Sequence, residues 1–154
     1  MPTAQTATET VLVVSPSLNR TAALSGMLES GYTPVAILNS PNCEQASGHL
    51  TDSRVSVVIC EALLPDGSWK DLLARMTLSS AAPALIVTSN VADESLWAEV
   101  LNLGGYDVLA QPFDGEEVAR VVRSAVRASS DHSRRRPADP TSRHAIESHR
   151  FPPA

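Results

Sequence analysis

Residues 57–67 read Val-Val-Ile-Cys-Glu-Ala-Leu-Leu-Pro-Asp-Gly, an apolar run that ends on the carboxylate of Glu61 and then reaches a turn. Consecutive apolar residues without alternation are typical of a strand that is covered on both faces, as in a parallel sheet. The carboxyl ends of parallel strands meet at one edge of the sheet, which is where such folds place their ligands. The stretch therefore predicts a buried strand that delivers Glu61 to a site at this edge.

The rest of the chain alternates between short apolar runs and segments of helical periodicity. The predicted strands lie at 11–14, 35–39, 55–60, 84–89 and 106–113, and a helical segment follows each of them. The segment after the second strand is the weakest helix, since it contains a glycine. Alternating strands and helices with short links require right-handed crossovers and a parallel sheet. The predicted fold class is α/β, a doubly wound five-stranded parallel sheet with five helices.

Composition divides the 154 residues into three parts. Residues 1–9 are small and polar and are predicted to be a disordered leader, and 10–128 form one domain. Residues 129–154 are rich in Arg and Pro and too poor in apolar residues to fold, so we predict a disordered tail. The charge is −7 over residues 1–127 and +2 over the remainder. The acidic body argues against nucleic-acid binding by the folded domain, while Arg134–Arg136 is either a solvated run or a contact for RNA or anionic lipid.

Several classes of protein and site are disfavoured by what the sequence lacks. No apolar run approaches the roughly 20 residues that cross a bilayer, and residues 1–10 do not resemble a secretory signal. We therefore predict a cytoplasmic protein with no membrane partner. The two cysteines, Cys43 and Cys60, have no metal-ligand spacing, so neither a zinc site nor a structural disulfide is expected.

Three stretches at the predicted strand ends resemble the receiver domains of two-component response regulators. They are EALLPDG (61–67), IVTS (86–89) and GGYDVLAQPF (104–113). The resemblance extends over roughly residues 10–127. It implies a CheY-like, flavodoxin-like sheet with strand order 2-1-3-4-5 and a function in signal transduction.

The same resemblance identifies a phosphorylation pocket in which most charged positions have changed. Glu61 stands in place of the acceptor aspartate, Ser15 and Pro16 in place of the two Mg²⁺-binding acids, and Gln111 in place of the lysine. Thr88 alone matches the family pattern. The family's site, with three acids and one lysine, has a formal charge of −2, whereas this one has −1. The Mg²⁺ site is therefore predicted to be lost, with no metal or other cofactor.

The resemblance and these substitutions predict a degenerate receiver, a non-enzyme that signals through protein contacts without phosphorylation. Its partners would be a kinase, an effector or a scaffold. Glu61 is either a fixed charge that imitates the phosphorylated state, hydrogen-bonded by Thr88 and the Gln111 amide, or a tolerated relic. The family's output face, made by helix four, strand five and helix five, includes Trp97 and Val108 here and offers a surface for a homodimer.

Two alternatives come from other functional classes. SPSLN (15–19) has hydroxyls that could contact a nucleotide or flavin phosphate, but it lacks the glycines that permit close backbone approach. A small hydrolase or transferase needs a base and an anion cradle. The predicted domain has one histidine, His49, away from the strand ends, and no Gly-rich loop or GxSxG motif. Trp69 either covers the opening of the pocket or packs on the surface.

Overall fold

In a computed structural model that describes residues 9–31, 34–52, 54–77 and 83–134, five strands form one parallel sheet in the order β2-β1-β3-β4-β5. The strands are β1 (Glu9–Val14), β2 (Val35–Ser40), β3 (Val57–Glu61), β4 (Ala84–Ser89) and β5 (Asp107–Ala110). The helices are α1 (Leu18–Gly31), α2 (Cys43–Asp52), α3 (Trp69–Met76), α4 (Glu94–Leu103) and α5 (Gly115–Arg134). The predicted fold class and strand order are confirmed.

The two faces of the sheet carry separate hydrophobic clusters because side chains alternate along each strand. In β3, Val57 and Ile59 pack under α1 and α5, while Val58 and Cys60 pack under α2, α3 and α4. All four are at most 1% exposed, which confirms that this strand is covered on both sides. The alternation continues to the last residue of the strand and puts the Glu61 side chain on the face of α1 and α5.

Helix ends follow local capping chemistry. The Ser68 and Asp71 side chains form a reciprocal capping box at the start of α3, and the Asp93 carboxylate accepts a hydrogen bond from Leu96 N in the first turn of α4. Gly104 ends α4 with φ of 110°, a left-handed conformation that favours glycine. At the end of α1, Gly31 lets α5 approach so closely that an added Cβ would lie 2.9 Å from Cβ of Ala119.

Two predicted domain boundaries are wrong by a few residues. Glu9 belongs to β1 and pairs with Val35 in register, so the leader cannot extend to residue 9. α5 continues to Arg134, past the predicted boundary at 128, because no glycine or proline interrupts it before Pro137. The remaining leader and tail, residues 1–8 and 135–154, lie outside the described residues.

Several strand boundaries also differ from the predicted ones, most clearly those of β3 and β5. β3 runs over Val57–Glu61 and not 55–60, so Glu61 is itself a ladder residue, paired with Thr88. β5 ends at Ala110 and not at residue 113, because Pro112 has no N–H to donate to a ladder. Among the described residues, none of the helices is long and apolar enough to cross a membrane.

Candidate functional site

The predicted site residues meet at the carboxyl edge because sheet hydrogen bonds continue just beyond the strand ends. Ser15 N donates to Ser40 O at 2.9 Å, Ala62 N to Thr88 O at 2.9 Å, and Gln111 N to Ser89 O at 3.0 Å. These bonds fix the backbone just after β1, β3 and β5. The side chains that extend from them therefore occupy defined positions relative to Glu61.

The Glu61 carboxylate is held from the side of β1 and α1. Ser15 Oγ donates to Glu61 Oε2 at 2.5 Å, and Arg20 Nη1 lies 3.1 Å from Oε1 and 3.2 Å from Oε2. Both carboxylate oxygens thus have partners, and one of those partners is a full positive charge. The Glu61 side chain is 13% exposed and that of Arg20 is 44% exposed, so the ion pair lies at the boundary with solvent.

The loop between β1 and α1 places these two partners. Ser15, which is buried, accepts a hydrogen bond from Ser17 N at 3.0 Å as well as donating to Glu61. Ser17 Oγ in turn accepts from Arg20 N at 3.2 Å and caps the first turn of α1. Pro16 is exposed between them. Glu61, Ser15 and Arg20 form a connected unit that we name the carboxylate triad.

Thr88 and Gln111 form a second pair beside the triad. Gln111 Nε2 donates to Thr88 Oγ1 at 3.2 Å, and Thr88 is 1% exposed. The peptide between Gln111 and Pro112 is cis. The expectation that Thr88 and the Gln111 amide hydrogen-bond Glu61 is wrong: these two side chains pair with each other, while Ser15 and Arg20 take the carboxylate.

Arg20 is the site residue that the sequence argument missed. The signal was present in principle, because alternation along β3 places Glu61 on the face of α1, and Arg20 is a cation in the first turn of that helix. Arg20 does not lie directly after a strand, because α1 contributes it from its first turn.

A short hairpin after β3 links the site to α2. Leu63–Leu64 pairs antiparallel with Gly67–Ser68, and the Asp66 carboxylate between them accepts from Cys43 N at 2.9 Å and Glu44 N at 3.1 Å. The bond from Cys43 is the largest cause that holds the pKa of Asp66 below its ordinary value. Asp66 thus provides, from another element, the cap that the start of α2 needs.

Trp69 follows this hairpin and neither covers the pocket nor packs on the surface. It is 3% exposed within the cluster under α2, α3 and α4, and its backbone N–H donates to Ala62 O at 3.1 Å. Both expectations for Trp69 are wrong. Trp69 stands at the first position of α3 and belongs to the buried face of that helix, together with Leu72 and Met76.

The donor set does not suit the Mg²⁺ ion that receiver domains bind. Mg²⁺ prefers several oxygen ligands with carboxylates among them, whereas Glu61 is the one acid of the triad and already has a guanidinium at its oxygens. The described residues contain no group of three or more His, Cys, Asp or Glu side chains that could hold a metal. His49 lies in the last turn of α2, at the opposite edge from Glu61.

The remaining candidate residues have structural surroundings of their own. Cys43 and Cys60 are free, buried thiols, and burial raises the pKa of each. Val108 is half-buried on β5 and packs against the cluster under α2, α3 and α4. Trp97 is half-buried on α4. An output face that includes Trp97 and Val108 remains a prediction.

Solved structures that resemble this chain include two receiver domains and a chemotaxis response regulator. The receiver domain of a LuxO repressor protein from Vibrio parahaemolyticus superposes with a TM-score of 0.74 and 18% identity, covering 80% of this chain and 94% of the other. The receiver domain of an HD domain-containing protein from Pseudomonas fluorescens Pf-5 superposes with a TM-score of 0.73 and 24% identity, covering 82% of this chain and 100% of the other. Chemotaxis response regulator CheY4 of Vibrio cholerae superposes with a TM-score of 0.70 and 15% identity, covering 77% of this chain and 99% of the other. The chain therefore has the receiver-domain fold.

Sequence comparison adds one curated relative. A probable transcriptional regulatory protein, y4xI, of Sinorhizobium fredii (strain NBRC 101917 / NGR234) is 27% identical over 119 residues, which are 77% of this chain and 51% of the relative. The chain thus spans about half the length of that protein. No protein-family model matches the chain.

Proposed function

We propose that this chain is a receiver-type signalling module that works through protein contacts, without phosphorylation and without Mg²⁺. The observation that carries the proposal is the carboxylate triad, in which Ser15 and Arg20 occupy both oxygens of Glu61. The fold supports the receiver-type part of the proposal, and the triad supports the loss of phosphorylation.

Phosphoryl transfer to a carboxylate would be opposed at this site. The attacking oxygen must reach the phosphorus in line, with cations that neutralise the charge of the transferred group. In the triad the single nearby cation, Arg20, is already paired with the would-be acceptor, and Gln111 carries no charge to replace it. An incoming phosphoryl donor would therefore have to break this ion pair and then meet an unshielded anion.

The same geometry disfavours Glu61 as an imitation of an acyl phosphate. A phosphoryl group at neutral pH carries a charge of about −2, whereas Glu61 and Arg20 together carry none. Thr88 is hydrogen-bonded to Gln111. We propose that Glu61 is a structural anchor that fixes the loop between β1 and α1, so that the domain presents one conformation to its partners.

For partners, we propose other signalling proteins: a kinase, an effector or a scaffold. The 27% sequence identity to a probable transcriptional regulatory protein supports a pathway that ends in transcription. A homodimer through α4, β5 and α5, with Trp97 and Val108 in the contact, is the self-association that we propose. We also propose a cytoplasmic location, where such pathways operate.

Two measurements test the proposal directly. The protein is incubated with acetyl phosphate and Mg²⁺, with a phosphorylatable receiver domain as a positive control, and its intact mass is measured. We expect no gain of about 80 Da, the mass of one phosphoryl group. In a parallel Mg²⁺ titration followed by amide NMR, Ser15, Arg20 and Glu61 should show no saturable shift. A stoichiometric mass gain on Glu61 would refute the loss of phosphorylation.

A further inference from the structure

Three large apolar side chains are exposed around the triad. Leu18, Leu63 and Val91 are 84%, 78% and 66% exposed, and they follow the adjacent strands β1, β3 and β4 at the carboxyl edge. We name these three residues the apolar rim. Among the described residues one other large hydrophobic is exposed, Leu103 at the far end of α4. Exposed apolar side chains that are concentrated in this way mark an interaction surface.

The same edge is strongly acidic, as a consequence of the parallel topology. All five helices begin there, and acidic residues cap or enter the first turns of α2, α3, α4 and α5, while the first turn of α1 contains none. The strand ends, loops and first turns at this edge contain two basic residues, Arg20 and Lys70, against nine acids: Glu44, Glu61, Asp66, Asp71, Asp93, Glu94, Asp114, Glu116 and Glu117. The formal charge is −7, of which the helix N-termini, at about +0.5 each, offset less than half.

An occupant of this edge should therefore be basic and carry a few apolar side chains, and residues 143–151 of the chain have that composition. They read Arg-His-Ala-Ile-Glu-Ser-His-Arg-Phe. Arg143 and Arg150 against Glu147 give the segment a formal charge of +1, and Ile146 and Phe151 supply the apolar side chains. Over residues 135–154 as a whole, four arginines stand against two acids.

The length of chain fits this assignment. α5 begins at the carboxyl edge and its 20 residues lead about 30 Å away from it. A return over the same distance needs about ten extended residues at roughly 3.3 Å each. Counted from residue 135, a chain of that length would reach the carboxyl edge at about residue 144, inside the basic and apolar segment.

We propose that residues 143–151 bind in cis across the apolar rim, with Ile146 and Phe151 against the rim and the two arginines among the surrounding acids. Tethering gives the segment a local concentration in the millimolar range, so that weak contacts are enough to hold it. The bound segment competes with any other protein that approaches the triad. The inference stands on the exposed residues and charges alone and does not depend on the proposed absence of phosphorylation.

The test uses the full chain and methyl NMR of Leu18, Leu63 and Val91. Combining Arg143→Gln, Ile146→Ser, Arg150→Gln and Phe151→Ser should shift these methyl signals, and 0.5 M salt should produce part of the same shift in the wild type. The matched control is Arg135→Gln with Arg136→Gln. It removes the same charge from the chain between α5 and residues 143–151. It should leave the rim signals unchanged.

A second variant changes the apolar rim, and the measurement then follows residues 143–151. Leu63→Ser alters an exposed residue, and it should increase the fast motion of the amides of residues 143–151 in ¹⁵N relaxation. Methyl signals of the apolar rim that stay unchanged by the four substitutions would overturn the proposal. So would an equal effect of the control pair, which would indicate a general charge effect, or shifts that depend on protein concentration, which would assign the contact to a second copy.

Discussion

Replacing Ser15 with alanine tests which partner holds Glu61. Ser15 is buried and its hydroxyl donates to a carboxylate, a kind of hydrogen bond that contributes about 1.5–3 kcal/mol. Arg20 is 44% exposed, and a pair of that kind contributes about 0.2–1 kcal/mol. We therefore expect Ser15→Ala to lower the free energy of unfolding by about 2 kcal/mol, and Arg20→Gln to cost about 1 kcal/mol or less.

Urea unfolding followed by circular dichroism measures both variants, and a loss of about 2 kcal/mol should lower Tm by on the order of 6–10 °C. Ser89→Ala is the matched control, since Ser89 Oγ at the same edge accepts a hydrogen bond from an uncharged donor, Val91 N. Ser15→Ala should cost less in a Glu61→Ala background, because the shared bond is already gone. Equal costs for Ser15→Ala and Ser89→Ala, or a cost that 1 M salt removes, would contradict the reasoning.

Three further predictions concern other parts of the fold. Asp66→Asn should destabilise the protein at pH 7, because backbone N–H groups at the start of α2 hold the pKa of Asp66 below its unfolded value. This stabilisation is present above the unfolded pKa and disappears as the pH falls through the folded pKa. In urea unfolding at acid pH, the stabilities of the two proteins should therefore converge and not stay parallel. Gly31→Ala should cost about 1–3 kcal/mol by crowding Ala119, and Ala119→Gly should recover part of this; a neutral Gly31→Ala would refute the close contact. Because burial raises the pKa of Cys43 and Cys60, iodoacetamide should label the unfolded protein at both and the native protein at neither, as mass spectrometry would show.

The fold was predictable from the sequence because its strongest signals are local. The apolar run at 57–60 indicated a strand that is covered on both faces, and the alternation of strands and helices fixed a parallel sheet. The boundaries were less accurate, since they depend on which backbone groups find a partner. Glu9 extends β1 because Val35 lies beside it, and no local feature of residues 1–10 indicates that.

The site was predictable in location and not in its contacts. Alignment of strand ends brought Glu61, Thr88 and Gln111 to one edge, but it did not indicate that Thr88 pairs with Gln111. Arg20 reaches Glu61 from a helix across 41 residues of sequence. Such a contact depends on how α1 packs against the sheet, which the periodicity of one helix does not specify.

The carboxylate triad also makes the site resistant to stepwise change. An aspartate at position 15 alone would put a second negative charge against Glu61, with one arginine to balance both. A lysine at position 111 alone would break the bond to Thr88 and bring a cation next to a pair that is already neutral. Each single substitution toward a metal-binding pocket thus costs stability before it adds function, so engineering such a pocket here would require several simultaneous exchanges.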